Sequence, residues 1–114
     1  MKNQNIQVRS KVWLEVSGRP VLGQGRQALL HAVDELGFIS KAARLLKLTY
    51  RKAWGQIKAI EEQLGLPLVV KQAGGTGGGG ARLTLEAREL LAKYDRLTQG
   101  FKEKVDGKFK EIFL

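Results

Sequence analysis

The sequence predicts a mainly α protein with a small β component (an α+β fold), and three observations carry that prediction. Several segments place apolar residues at helical spacing, the last of them much longer than the rest. Short alternating or β-branched runs flank the helical block on both sides and supply the β component. Finally, 114 residues with no internal repeat and no linker make a single domain, residues 1–114, around one core.

From Ile6 to Val16 apolar residues recur at every second position (Ile6, Val8, Val12, Leu14, Val16), with Ser10 as the break. That is the period of a strand with one buried face, and Trp13 on the other face needs cover from another element. Gly18-Arg19-Pro20 signals a turn and Val21-Leu22 a short return strand, so the amino-terminal segment reads as a β-hairpin. A first helix follows Gly25, with Leu29, Ala32, Val33 and Leu36 as its apolar stripe and Gly37 as its left-handed cap. His31 lies beside that stripe and reads as an ordinary helix-surface residue.

Ser40 is placed to cap a short second helix containing Ala42, Ala43, Leu45 and Leu46, and Lys47-Leu48 forms the connection. Thr49 caps a third helix reaching about Gln63, with Tyr50, Ala53, Trp54, Ile57, Ile60 and Leu64 at helical spacing; Trp54 and Ile57 are assigned to the core. Gly65 and Pro67 end it. Leu66 to Val70 and Arg82-Leu83-Thr84 then pair as a hairpin around Gly74–Gly80, a stretch with six glycines in seven residues. Thr84 caps the last helix, over 84–112, with Glu86 and Glu89 near its positive end. Its stripe runs through Ala87, Leu90, Leu91, Tyr94, Leu97, Phe101, Val105 and Ile112, and Gly100 and Gly107 predict fraying at the far end. A helix that long cannot bury its whole stripe in so small a domain, so Leu90, Leu91, Tyr94, Leu97, Phe101 and Val105 are expected to pack against a second copy.

Composition narrows the function. Apolar residues make up 43% and charged residues 27%, as in soluble globular proteins, but 20 Lys+Arg stand against 11 Asp+Glu for a net charge of +9. Such an excess suits a polyanionic partner. The absence of cysteine excludes disulfides, thiolate metal sites and cysteine nucleophiles, and a lone histidine leaves no His-based metal pair. No metal and no cofactor are expected. No run reaches the ~18 apolar residues of a membrane span, so no membrane partner is expected and the protein reads as cytoplasmic. The acids form no convergent pair and no Ser/His/Asp set is visible, so an enzyme is not expected.

The chemistry concentrates between Phe38 and Ile60. Two helices joined by a tight connection carry Lys41, Arg44, Lys47, Arg51, Lys52 and Lys58 and no acid, the nearest being Glu35 and Glu61. A basic, acid-free patch at the start of the second of these helices suits a DNA phosphate backbone, with that helix in a major groove ~12 Å wide. Thr49, Arg51 and Lys52 then lead into the groove, Arg51 suited to guanine. Lys41, Arg44 and Lys58 are assigned to phosphates, and Tyr50 to packing or to the backbone through its hydroxyl. The bland alternative is a solvated basic face. The glycine run satisfies G-x-G-x-x-G at Gly75–Gly80, but no second parallel strand or acidic ribose ligand follows, and no Lys completes a P-loop. It reads better as a wing whose tip approaches DNA, flanked by Lys71 and Arg82.

The run Ile39-Ser-Lys-Ala-Ala-Arg-Leu-Leu-Lys-Leu-Thr-Tyr-Arg-Lys-Ala-Trp54 resembles the helix-turn-helix of the molybdate-dependent ModE regulators, whose DNA-binding domain is of LysR type. Thr49-Tyr50-Arg51-Lys52-Ala53-Trp54 matches that family's Ser-Tyr-x-x-Ala-Trp pattern with Thr for Ser, and Gly74–Thr84 resembles its glycine-rich wing. The resemblance covers essentially the whole chain. It implies a winged helix-turn-helix homodimer regulating transcription from a pseudo-palindromic site on double-stranded DNA. Thr49, Tyr50, Arg51 and Lys52 would lie at the groove and the wing around Thr76 at the backbone, and Ser40 is counted with the DNA-binding residues. Members carry molybdate-binding domains after this region, and this chain stops at Leu114, so molybdate is not expected to bind within it. A non-specific architectural DNA binder, or a module that pairs with another protein through the long helix, are the other readings of the same features.

Overall fold

The computed structural model describes residues 5–72 and 79–114. In chain order it contains β1 (Leu14–Val16), β2 (Arg19–Leu22), α1 (Gln24–Leu36), α2 (Ile39–Leu45), α3 (Tyr50–Leu64), β3 (Val69–Lys71), β4 (Ala81–Leu83) and α4 (Leu85–Phe113). The mainly α fold with a small β component is what the sequence predicts.

The amino-terminal strand is shorter than its alternation suggests. β1 begins only at Leu14, and it pairs antiparallel with β2 through Val16↔Arg19. The two-residue turn is therefore Ser17-Gly18, both at positive φ (52° and 78°), two residues that a tight hairpin requires in that region. Pro20 lies within β2, where a two-stranded ribbon leaves an edge that needs no donor. Upstream, the alternating apolar residues serve an extended segment lying against α4. The Tyr94 hydroxyl donates to the Val12 carbonyl at 2.6 Å, and Val8 lines a shallow apolar cleft with Val105, Phe109 and Ile112. A period of two fits any extended chain with one covered side, whether or not a strand pairs with it. Trp13 does not gain the cover expected for it: it is exposed, with its indole N–H donating to Glu15.

Glycines set the helix ends. Gly37 (φ 75°) closes α1 by donating to Val33, and Gly65 (φ 69°) closes α3 by donating to Glu61. α1 starts at Gln24, a little earlier than expected. Phe38, in extended conformation after Gly37, is the N-cap of α2, so Ser40 lies inside the helix and caps nothing; Leu46 is its C-cap. Thr49 and Thr84 do cap, accepting from the Lys52 and Ala87 amides at 3.1 Å each. Between α2 and α3 the chain turns through Lys47 at φ 59°, and the Leu48 amide returns to Ala43.

The core is a continuous cluster from all three short helices, both ribbons and the start of α4, including Leu29, Leu30, Val33, Ile57, Ile60 and Leu68, each fully buried. Among the described residues no polar or charged side chain is classed as buried. Leu91 and Tyr94 belong to this core, at 4% and 1% exposure, which corrects their assignment to a surface for a second copy. Their stripe is used up inside the domain by packing of the first turns of α4. Leu97 and Phe101 are exposed, and Leu90 and Val105 are half-buried. α4 continues without a break through Gly100 and Gly107, so the expected fraying is not seen.

Candidate nucleic-acid interface

The wing is built on the helical block at two points. The Ala81 amide donates to the Gly37 carbonyl at 2.8 Å, fixing the base of β4 on the cap of α1. Gly80 packs so closely there that a Cβ would stand 3.0 Å from the same carbonyl oxygen. On the other strand, the Glu61 carboxylate at the end of α3 accepts from the Leu68 and Val69 amides at 2.8 and 3.3 Å. Burial alone would raise that carboxyl, but the Leu68 amide, Lys58 and the Val69 amide outweigh it and hold it below its ordinary value. In the ladder Val69, Val70 and Lys71 face Leu83, Arg82 and Ala81, which leaves Thr84 free to cap α4 instead of extending β4.

This scaffold leaves the basic side chains of α2 and of the start of α3 exposed. Thr49 caps α3, so Arg51 and Lys52 stand exposed on its leading turn. Lys41 and Arg44, also exposed, flank them from α2, with the Lys41 ammonium 4.6 Å from the Phe38 ring centre. Among the described residues none of these four is ion-paired. Lys58 differs from expectation: its ammonium is 3.2 Å from Glu61 and over the Trp54 ring, so it serves the junction of α3 with β3. Ile57 is in the core as expected, whereas Trp54 is only half-buried, with lysines lying over its exposed face.

Lys71 reaches across from the wing. Its ammonium donates to the Tyr50 hydroxyl at 2.9 Å and lies 4.2 Å from the centre of the Trp54 ring. Ser40, Tyr50, Lys71, Gln72 and Gly80 line a small cleft between α2, the start of α3 and the wing base. Arg82 is exposed on the neighbouring strand. Thr76 lies outside the described residues. The sequence did not reveal the part played by Gln72 and Glu61, because each depends on where the wing lands; the spacing of Lys58 and Glu61 was the one local sign.

Residues 26–88 match the family of bacterial regulatory helix-turn-helix proteins of LysR type. The chain belongs to the LysR family of bacterial regulatory helix-turn-helix proteins. Within it, this LysR-type chain is similar to the molybdenum-pterin-binding protein MopB of Rhodobacter capsulatus, 40% identical over 79 residues, which cover 69% of the chain and 29% of MopB. It is also similar to the molybdenum transport protein ModE of Azotobacter vinelandii, 33% identical over 97 residues, or 85% of the chain and 36% of the relative. The Escherichia coli dual regulator ModE is 36% identical over 74 residues, covering 65% and 28%. The chain thus spans about a third of the length of these relatives, and the resemblance to ModE seen in Thr49–Trp54 is borne out. Among solved structures, ArgP of Mycobacterium tuberculosis superposes with a TM-score of 0.54 at 29% identity over 76% of the chain and 30% of ArgP. The CbnR_DBD–DNA complex superposes at 0.59 and 22% identity, over 76% of the chain and 94% of CbnR_DBD, a likeness of fold. The LysR-type fold is a winged helix-turn-helix, with α2 and α3 as the paired helices and β3–β4 as the wing.

Proposed function

We propose that this chain binds double-stranded DNA as a transcriptional regulator, acting as a homodimer on a pseudo-palindromic operator. The observation that carries the reading is the leading turn of α3, where exposed Arg51 and Lys52, with Lys41 and Arg44 beside them, form a cationic face free of carboxylates from Phe38 to Ile60. A helix presented this way enters a major groove with its first residues at base edges while neighbouring cations meet phosphates. Arg51 is the base reader in this scheme, Thr49 meets a base edge or a phosphate, and Lys52, Lys41 and Arg44 neutralise the backbone. Lys58 is left out of the phosphate set because Glu61 holds its ammonium.

Support for the homodimer comes from the far part of α4. Leu97, Phe101, Ile112 and Phe113 are exposed and Val105 half-covered, an apolar surface beyond the domain's own core, whereas Leu90 packs on that core. Two such helices related by a two-fold axis cover each other's stripe and set two α3 helices on one side. The family and the names of the relatives, which include transcriptional regulators, support the reading as a DNA-binding regulator.

Selection from a random duplex library at two salt concentrations, with the protein's mass in solution measured in parallel, tests this function. The expected result is an inverted repeat that persists at the higher salt and a dimeric mass. Recovery of unenriched DNA that is lost as salt rises would replace sequence reading with non-specific backbone binding.

A further inference from the structure

We infer that the cleft between the wing base and the start of α3 seats one backbone phosphodiester of the duplex, with Tyr50 as its hydrogen-bond donor and Lys71 as the residue that makes it a donor. The inference rests on the DNA-binding reading and goes beyond it by assigning one ligand group to one built site. An ammonium has three donors and no acceptor. At 2.9 Å from the Tyr50 hydroxyl, Lys71 therefore occupies an acceptor side of that oxygen. The phenol's own proton is then committed to pointing elsewhere. Tyr50 is exposed, and the cleft it lines, about 190 Å³, is completed by Ser40, Gln72 and Gly80 and has no carboxylate in its wall. An acceptor with spare lone pairs and negative charge suits such a wall, and a phosphodiester oxygen is that acceptor in a duplex.

Lys71 is held for this task. Its ammonium is 4.2 Å from the Trp54 ring centre and bound to the Tyr50 hydroxyl, so one aromatic face and one hydroxyl on α3 hold a cation that belongs to the wing. Wing and recognition helix thus meet at one hydroxyl, and Lys71 is a positioning residue that also brings its charge close to the phosphate.

The test uses the full chain, the duplex it selects, and copies of that duplex in which one phosphate at a time is replaced by a neutral methylphosphonate. Besides the positions met by Lys41, Arg44 and Lys52, wild-type protein should lose roughly tenfold in affinity at one further position per half-site, the loss expected for a hydrogen bond to a charged group. Tyr50→Phe should bind the unmodified duplex about tenfold more weakly and pay a clearly smaller penalty than wild type for replacement at that position, the remainder being the charge of Lys71. Lys71→Met, which keeps the stem over Trp54 and removes the donor, should shrink the penalty there. It should also add less in the Tyr50→Phe background than in wild type. Equal penalties in wild type and Tyr50→Phe at every position overturn the assignment, as does a position that depends on Lys71 and not on Tyr50. If the wild-type protein binds no duplex, the DNA-binding reading falls and the phosphate seat falls with it. Tyr50 lies on the surface, and a circular dichroism melt of each variant establishes that it folds.

Discussion

His31 Nε2 on α1 lies 2.8 Å from Asp95 Oδ2 on α4, and the Gln27 side-chain amide donates to the other oxygen of the same carboxylate. Two turns nearer the start of α4, Arg88 meets Asp34 at 3.2 Å. Gln27, His31 and Asp34 share one face of α1, so the two helices are joined by a polar seam. The sequence offered no partner for His31, because Asp95 is remote along the chain and reaches it only through the packing of α4. Exposed pairs of this kind contribute little singly, and a carboxylate with two partners contributes more. In urea denaturation Asp95→Ala should cost about 1 kcal/mol, and a double-mutant cycle with His31→Ala should give a coupling of about 0.2–1 kcal/mol. Strict additivity would show that the contact contributes nothing.

The buried Tyr94 ties the amino-terminal segment to α4 through its hydroxyl. Removing its hydroxyl in Tyr94→Phe leaves the Val12 carbonyl without that donor and should cost about 1 kcal/mol. The segment should also loosen, so limited trypsin digestion should cut faster after Arg9 and Lys11. Unchanged cleavage would mean that the apolar contacts of Ile6 and Val8 suffice. Burial, and secondarily the charge of Asp95, raises the phenol above its ordinary value of 10.0. The neutral form is thus favoured in the fold. That contribution is complete below pH 10 and is lost as pH rises from there through the folded-state value.

The carboxyl of Glu61 titrates in the opposite sense. Its folded-state value is depressed below the ordinary 4.5, so its contribution is present above that value and fades as pH falls through the lower one. Stability measured from pH 7 down to 3 should decline along that limb, and Glu61→Gln should flatten it. An identical acid limb in the variant would assign the decline to other carboxylates.

Arg51→Ala should cost about 1–3 kcal/mol of binding to the selected duplex and relax the preference at a single base position in each half-site. Lys52→Ala should instead weaken all duplexes alike and lower the salt slope by about one. A uniform loss for Arg51→Ala would move that side chain from base to phosphate.

Two glycines make a contrast that thermal melting can resolve. A Cβ at Gly80 would press on the Gly37 carbonyl oxygen at 3.0 Å, where backbone must move, so Gly80→Ala should destabilise by about 1–3 kcal/mol. At Gly100, inside α4, nothing lies within 4 Å of the added atom, and Gly100→Ala should stabilise by about 0.5–1 kcal/mol. If both changes act alike, the close contact at the wing base is not what requires Gly80.

These cases also mark where the sequence was readable. Caps that act within a few residues, such as Thr49 on Lys52 and Gly37 on Val33, could be assigned from neighbours alone. Ser40 misled because extended Phe38 starts the helix before it. The alternation of Ile6, Val8 and Val12 was real, but its cover is a helix some eighty residues away, as the Tyr94–Val12 bond shows. The basic residues of the candidate interface were all visible as charges. Which of them stand free and which are engaged, Lys58 by Glu61 and Lys71 by Tyr50, depends on where β3 meets α3.

The core holds α4 at one end only, and beyond it the helix lies against the amino-terminal segment. Ala87, Leu91 and Tyr94 are sunk in the core, whereas beyond Tyr94 no residue of the helix is buried. The 19 residues beyond Tyr94, ending at Phe113, extend ~28 Å at ~1.5 Å per residue, so a tilt of ~10° about Tyr94 sweeps the far tip through ~5 Å. The helix is therefore a lever with its fulcrum in the domain. A small change in how Asp34 holds its short arm through Arg88 becomes a displacement of several ångströms wherever the long arm is grasped.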